Sequence, residues 1–245
     1  MISQLYSPFV TPNEIMHEYR ETEFIGHFFN HVVGVPYLSS EDRVTEEQVL
    51  SLCDQARKMS TSYLPQTAMG IDVGSVLHCT IIDPRLDKVV WIGELKHFEE
   101  LDAVFLKFNV KQTVIDALPE TRKVRELINR HKNKVWACFY NDHQKGSYKW
   151  DDEQRLVLVN RTESLDASQL SLIRKEITLP QRSKDVEEFA SHCQNLVKTI
   201  EEDKDSGSRR YVYKKIGPDH FRHSYNYAQI ASTKMRSTGT ISVFR

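Results

Sequence analysis

Short runs of β-branched and apolar residues are separated by polar and amphipathic stretches from residue 68 onward. The first three runs follow one another closely: AMGIDVG (68–74), HCTIID (78–83) and VVWIGELK (89–96). Runs of this length and composition are typical of strands, and their tight connections predict an antiparallel meander.

Strands and helices alternate after the meander. Further strands are predicted at 112–118, 135–140, 155–160 and 209–216, and helices at 99–108, 120–131, 164–175, 183–203 and from Asp219 onward. The polar stretch between 141 and 152 predicts a loop or hairpin excursion. This order predicts a mixed-sheet α/β domain flanked by helices.

Residues 1–66 have a different character and carry four of the chain's eight prolines. A helix is predicted from Thr45 to Lys58, because Thr-Glu-Glu-Gln at 45–48 has the order of a capping box. We interpret 1–66 as an arm or linker and 67–245 as the α/β domain.

Composition limits the class of protein. A chain of 245 residues with 40% hydrophobic content can bury one sizeable core. Its four cysteines lie far apart in sequence and indicate reduced thiols rather than a zinc or redox motif. No apolar run is long enough to span a bilayer and the N-terminus lacks the order of a secretory signal, so a cytoplasmic protein is predicted, with no membrane partner.

The net charge of -1 does not itself indicate nucleic-acid binding. Residues 1–60 hold nine acids and four bases, whereas residues 204–245 hold nine bases and two acids. The basic end can meet a polyanion or form a solvated face, and charge alone leaves both readings open.

Three aspartates occupy positions that invite a functional explanation. Asp72 and Asp116 lie within apolar strand sequences, where an unpaired carboxylate is costly to bury. Asp116 is also near the carboxyl end of its strand, where α/β sheets usually bind ligands. Asp219 opens the last predicted helix directly after Gly-Pro, so an N-cap role is its alternative. A structural role remains open for each residue taken singly.

The layout of these acids resembles that of the ribonuclease-H-like nuclease domain, and more closely that of bacteriophage large terminase subunits, which cut concatemeric DNA during packaging. The resembling segments are MGIDVGS (69–75), VIDALPE (114–120), RTESLD (161–166) and PDHFRHSYNYA (218–228). They span roughly residues 67–236. The earlier FFNHVVGVPY (28–37) resembles the stretch that joins a terminase motor to its nuclease.

The resemblance implies a metal-dependent endonuclease that cuts double-stranded phage DNA. Asp72 would bridge two Mg²⁺ or Mn²⁺ ions about 3.5–4 Å apart, and Asp116 and Asp219 would each complete one ion. Related terminases often carry a second acid where this chain has His220. His220 then implies a weaker second site that favours Mn²⁺, or a proton shuttle, with a plain surface histidine as the alternative. His223, on the same helical face as Asp219, is expected to orient that acid or touch the scissile phosphate.

Lysine and arginine side chains outside the acidic cluster are expected to contact DNA. The predicted phosphate-binding residues are Lys145, Lys149, Arg161, Arg209, Arg210 and Lys214. Tyr148 and Trp150, in the same excursion as the first two, would suit base stacking. The resemblance further implies a portal protein, a small terminase subunit and a packaging ATPase as partners. No G-x-x-x-x-G-K-[ST] occurs, so either the chain is an isolated nuclease portion or its motor is encoded separately.

Two other functions remain open. IDVGS also resembles the phosphate loop of actin-like, sugar-kinase and Hsp70-type ATPases, but that fold needs a second similar subdomain and a further Gly-rich loop, and the chain has only nine glycines. The other alternative is a non-catalytic DNA-binding module for packaging that has kept the fold.

Overall fold

A seven-stranded mixed β-sheet forms the centre of the protein, seen in a computed structural model that describes residues 7–21, 28–33, 43–63, 65–142, 144, 146–202 and 209–237. The strands are β1 Thr67–Val73, β2 Leu77–Asp83, β3 Lys88–Leu95, β4 Val110–Asp116, β5 Val135–Tyr140, β6 Lys149–Asp151, β7 Leu156–Val159, β8 Leu196–Glu202 and β9 Arg209–Lys215. The sheet order is β3-β2-β1-β4-β5-β7-β6, and β8 and β9 form a separate two-stranded sheet.

Helices cover both faces of the sheet. They are α1 Pro12–Glu21, α2 Glu46–Leu50, α3 Glu100–Lys107, α4 Thr121–Arg130, α5 Arg161–Ile173, α6 Lys184–Gln194 and α7 His220–Ser237, with a π-helical segment at Phe28–Val33. No helix in the described ranges is both long enough and apolar enough to cross a membrane.

Strand pairing matches the predicted topology. The β1-β2-β3 meander is antiparallel, β1, β4, β5 and β7 run parallel to one another, and β6 returns antiparallel to β7. This arrangement confirms the prediction of a ribonuclease-H-like mixed α/β fold, including the hairpin excursion before β7.

The alternation of side chains along β1 sorts them between two layers. Met69 and Ile71 pack into a core with α3 and α4, whereas Ala68 packs against α7 on the other face. Gly70 and Asp72 share the face of Ala68. The close approach of α7 depends on Gly70, because a Cβ there would lie 1.9 Å from the carbonyl oxygen of Ser224.

The predicted helix at 45–58 is correct at its start and wrong at its end. Thr45 and Gln48 form the capping box, with Thr45 Oγ1 accepting from the Gln48 amide. The helix stops at Leu50 because the chain next pairs with another segment: the Asp54 amide donates to the Leu179 carbonyl, and the Leu179 amide donates to the Leu52 carbonyl.

Part of the N-terminal region packs against the α/β core. Val44, Val49 and Leu52 are buried in one cluster with Phe189 and Phe221. The division of the chain at residue 66 stays a prediction, and these contacts tie residues 44–52 to the face that α7 covers.

The predicted helix at 183–203 is also too long. Helix α6 ends at Gln194, and Leu196–Glu202 instead pairs antiparallel with β9. Leu196 is buried against Leu165 and Tyr213. The β-branched residues of LVKTIEE favour a strand once a partner strand is available.

Candidate active site

Asp72 and Asp116 lie side by side at the carboxyl ends of β1 and β4. The parallel register pairs Ile71 with Ile115, so the two aspartates are the next residues on neighbouring strands, which are about 4.8 Å apart. Both fall on the face covered by α7. Asp72 is only 6% exposed, so its carboxylate is held inside the protein.

The pKa of Asp116 reflects this crowding. Burial and the neighbouring charge of Asp72 together raise it to about 6, against a hydrogen bond from the Leu118 amide that lowers it. The Leu118 amide donates to Asp116 Oδ1 at 3.1 Å. Two adjacent carboxylates with few hydrogen-bond donors repel each other, and a bound cation would remove that repulsion.

Asp219 lies immediately before α7. Its carbonyl accepts the first helical bond, from the His223 amide at 3.2 Å, so its backbone occupies the N-cap position. Its carboxylate contacts the same residue, with Oδ2 3.4 Å from His223 Nε2. Burial would raise the pKa of Asp219, but His223 and nearby cations lower it below its usual value.

His223 is fixed on its other side by the end of β5. Its Nδ1 lies 3.2 Å from the hydroxyl of Tyr140, which also accepts from Asn226 Nδ2 at 3.1 Å. The Asn226 side chain is itself held, because its Oδ1 accepts from Ser168 Oγ at 2.7 Å. Buried Arg222 donates to that same Ser168 hydroxyl at 2.9 Å. This chain of hydrogen bonds ties α5, α7 and β5 together beneath Asp219.

Histidines occupy the other side of Asp72. His220 Nδ1 lies 2.9 Å from Asp72 Oδ2, and this hydrogen bond raises the pKa of His220. The His220 ring stacks on His78 with centroids 4.6 Å apart, and His78 Nε2 lies 2.8 Å from Glu94 Oε1. Burial, then the nearby His220, lowers the pKa of His78. Burial lowers that of the adjacent His192 to about 4.

Within the described residues, one group of three possible metal ligands has its ligand atoms within 4.8 Å of one another: Asp72, His78 and His220. Asp116 and Asp219 are not members of this group, so their part in metal binding stays a prediction. His78 was not among the ligands assigned from the sequence. The available signal was its place at the start of the second strand, which the tight turn sets opposite Asp72.

The basic residues predicted to bind DNA, among those described, lie on α5, on β9 and on the hairpin formed by β6 and β7. Lys149 lies exposed on β6, and Arg161 begins α5, where its Nη1 donates to the Tyr213 carbonyl at 2.9 Å. Arg209 contributes backbone to β9, and Lys145 lies outside the described residues.

Arg210 and Lys214 share one acidic partner on the two-stranded sheet. Arg210 Nη2 is 3.1 Å and Lys214 Nζ is 3.4 Å from the carboxylate of Glu201. Both cations are largely exposed, at 64% and 58%. Their pairing is therefore screened by water and easily exchanged.

The aromatic residues of the hairpin pack inward. Trp150 meets Trp136 edge-on with centroids 5.1 Å apart, and Lys234 lies over both rings. Tyr148 packs against the same cluster, and burial raises its pKa to about 12. Both rings are thus used in packing rather than presented for base stacking.

Comparison with known proteins assigns the fold. No protein-family model matches the chain, and no curated protein matches it by sequence. Among solved structures, the large terminase nuclease from thermophilic phage G20c with bound magnesium matches with a TM-score of 0.51 at 10% identity, over 80% of this chain and 99% of that one. The chain has the fold of a large terminase nuclease.

A second terminase structure matches over a similar span. It is a mutant nuclease domain of the large terminase subunit of bacterial virus Sf6 with manganese and beta-thujaplicinol, with a TM-score of 0.49 at 11% identity over 77% of this chain and 98% of that one. The G20c nuclease, at 10% identity, shows the fold of this chain and nothing of its chemistry.

Proposed function

We propose that this chain is a divalent-metal-dependent endonuclease that cleaves double-stranded DNA during packaging of a phage genome. The observation that carries the proposal is the adjacency of two largely buried carboxylates, Asp72 and Asp116, at strand ends under α7. Asp219 opens that same helix. The terminase nuclease fold supports the proposal, as does the magnesium in the G20c nuclease.

The donor set suits hard cations. Carboxylate oxygens are the ligands that Mg²⁺ and Mn²⁺ prefer, and few are needed because Mg²⁺ keeps several waters. We assign Asp72 as the shared ligand of two ions, with Asp116 and Asp219 each completing one. The pKa of Asp116 is raised first by burial and then by the charge of Asp72, as expected for a carboxylate that a bound cation would stabilise. When bound, such cations stabilise the charge that develops on the phosphate and make the attacking water more acidic.

The surrounding side chains hold this set in place. Hydrolysis adds water across a P–O bond, so one proton leaves the water and the departing oxygen gains one. His223 positions Asp219, since Tyr140 fixes one ring nitrogen and the carboxylate contacts the other. His220 lies at the solvent-facing edge with a side chain 42% exposed, so both protons can exchange with water there.

Phosphate contacts are proposed for six basic residues that the sequence singles out. These are Lys145, Lys149, Arg161, Arg209, Arg210 and Lys214. A lysine or arginine paired with a surface carboxylate can exchange it for a DNA phosphate at little cost in free energy. The counterions released from the DNA then favour binding. The same proposal extends to a portal protein, a small terminase subunit and a packaging ATPase as partners, in the cytoplasm of an infected host.

Plasmid nicking tests the assignment. The purified chain should nick supercoiled plasmid with Mn²⁺ or Mg²⁺, and Asp116→Asn should lower the rate at least about 100-fold while DNA affinity is kept. Asp185→Asn, an exposed acid in the first turn of α6, is the matched control and should cleave like wild type.

The same assay separates the alternatives. Equal cleavage by wild type and Asp116→Asn would show a contaminant and contradict the proposal. DNA binding without cleavage in either metal would support a non-catalytic packaging module instead. A requirement for ATP would favour the actin-like ATPase reading.

A further inference from the structure

His78 carries a buried nitrogen without a partner. The residue is 6% exposed, and Nδ1 makes no hydrogen bond. The other ring nitrogen, Nε2, lies 2.8 Å from Glu94 Oε1 on β3, the residue opposite His78 in the register. A carboxylate accepts from N–H, so in the neutral ring the proton is on Nε2 and the lone pair is on Nδ1.

A carboxylate that holds one imidazole nitrogen leaves the other ready to bind a metal. Metal-binding histidines almost always donate their second N–H to a carboxylate, a carbonyl or water, which fixes the ring and raises its basicity. Glu94 stands in that relation to His78. A buried lone pair without a donor is otherwise unfavourable, so the arrangement calls for a ligand.

Asp72 and His220 offer two further ligand atoms close to His78. His220 stacks on His78, and its Nδ1 lies 2.9 Å from Asp72 Oδ2. A ligand atom of each of the three residues lies within 4.8 Å of the others. Ligands about 2.0–2.1 Å from one ion are about 3.3 Å apart in a tetrahedral site. A small inward movement, with release to solvent of the proton that His220 shares with Asp72, would therefore complete the set.

We propose that Asp72, His78 and His220 form a mixed nitrogen–oxygen site that takes a transition-metal dication such as Co²⁺ or Zn²⁺ in preference to Mg²⁺, with Glu94 positioning His78. Imidazole nitrogen suits these softer ions, whereas Mg²⁺ is suited to oxygen alone. Two imidazoles and one carboxylate also leave coordination positions open for water or a phosphate oxygen. The inference rests on the proposed function only in that Asp72 is shared between the two.

Metal binding, measured without DNA, tests this site. The metal-free full chain is titrated with Co²⁺, Zn²⁺ and Mg²⁺ by calorimetry, and the visible absorption of Co²⁺ is recorded. Wild type should bind Co²⁺ at least about tenfold more tightly than Mg²⁺, with a spectrum typical of nitrogen and oxygen ligands. A strong near-ultraviolet charge-transfer band would reveal thiolate ligation at a cysteine and would overturn the assignment.

Variants assign the ligands. His78→Gln and His220→Ala should each weaken Co²⁺ binding at least about tenfold, and Glu94→Gln about 10–100-fold, as expected for a residue that orients a ligand. Glu94 is exposed and His220 is partly exposed, so those two variants decide the matter if His78→Gln does not fold. The matched control is His131→Ala, because His131 pairs with Asp102 and belongs to no ligand group among the described residues.

The outcomes are distinct from those of the nuclease test. Wild-type Co²⁺ affinity in both His78→Gln and His220→Ala, or no preference of wild type over Mg²⁺, would overturn the site. Selective Co²⁺ binding by a chain that cleaves no DNA would support the site and contradict the proposed function. Mg²⁺-dependent cleavage without selective Co²⁺ binding would support the proposed function and contradict the mixed nitrogen–oxygen site.

Discussion

Gly70 is the point where β1 and α7 come closest, and its substitution tests how the fold positions the site. A Cβ at this position would lie 1.9 Å from the Ser224 carbonyl oxygen, 2.2 Å from the Ala228 nitrogen and 2.8 Å from the Tyr227 carbonyl carbon. All three are backbone atoms, so no side-chain rotation can relieve the overlap. Gly70→Ala therefore has to move α7 away from β1 by about 1.5 Å to regain ordinary contact.

The cost follows from what α7 buries. Overpacking costs about 1–3 kcal/mol and occasionally more, and here the upper end is expected because a whole helix must shift. Eleven residues of α7 are buried, and their packing loosens together. A loss of about 3 kcal/mol lowers the melting temperature by about 6–12 °C in a chain of this size.

Thermal and urea unfolding measure the effect. The urea midpoint should fall without a change in the slope m, since the unfolded surface is the same. Gly74→Ala is the control, because the nearest atom to its new Cβ is 3.6 Å away, and its stability should stay within about 0.5 kcal/mol of wild type. A Gly70→Ala protein as stable as Gly74→Ala would show that this close approach does not fix the position of α7.

The hydrogen bond from Tyr63 to Asp83 predicts a pH dependence of stability. Burial, and then this bond, raises the pKa of Tyr63 to about 12 in the folded protein, whereas its pKa in the unfolded chain is about 10. The stability lost in Tyr63→Phe should therefore be constant below pH about 10 and shrink as the pH rises toward 12 in urea titrations, and a pH-independent difference would contradict it. Tyr140→Phe removes the hydroxyl that lies 3.2 Å from His223 Nδ1, so on the proposed function plasmid cleavage should fall about 10–100-fold. Its stability should fall by only about 1–2 kcal/mol, and unchanged cleavage would exclude that positioning role. Arg210→Ala should weaken DNA binding and reduce the slope of log affinity against log salt by about 1, measured by fluorescence anisotropy. Lys123→Ala, on α4 at the opposite face of the sheet, should leave that slope unchanged, and equal slopes in the two variants would count against a phosphate contact at Arg210.

Most of the fold follows from local sequence pattern. Strand β5 was predicted at its observed bounds, and β1 to β4 within a few residues, because buried strands are short runs of apolar and β-branched residues. The errors lie where the backbone pairs with a distant segment. Strand β8 depends on β9 across 203–208, and the early end of α2 depends on residue 179. Local pattern carries no information about such partners.

The site was predictable only in part for the same reason. An acid within an apolar strand is conspicuous because burying it is costly, and this singled out Asp72 and Asp116. A histidine is common in many environments, so His78 gave no comparable signal. The role proposed for His78 depends on the registers of two strand pairs, which place it opposite Asp72 on β1 and opposite Glu94 on β3.

The small residues beneath α7 explain why the histidines meet at all. The antiparallel register pairs Gly70 with Thr80, whose hydroxyl lies 2.7 Å from Ser224 Oγ, so helix and sheet touch through small side chains. One helical turn, about 5.4 Å, nearly matches two residues of a strand, about 6.6 Å. The contact one turn before Ser224 is therefore His220 against the next pair of the register, Asp72 and His78. The ligands are brought together by packing two residues away, so a substitution at Gly70 should weaken Co²⁺ binding even though it removes no ligand.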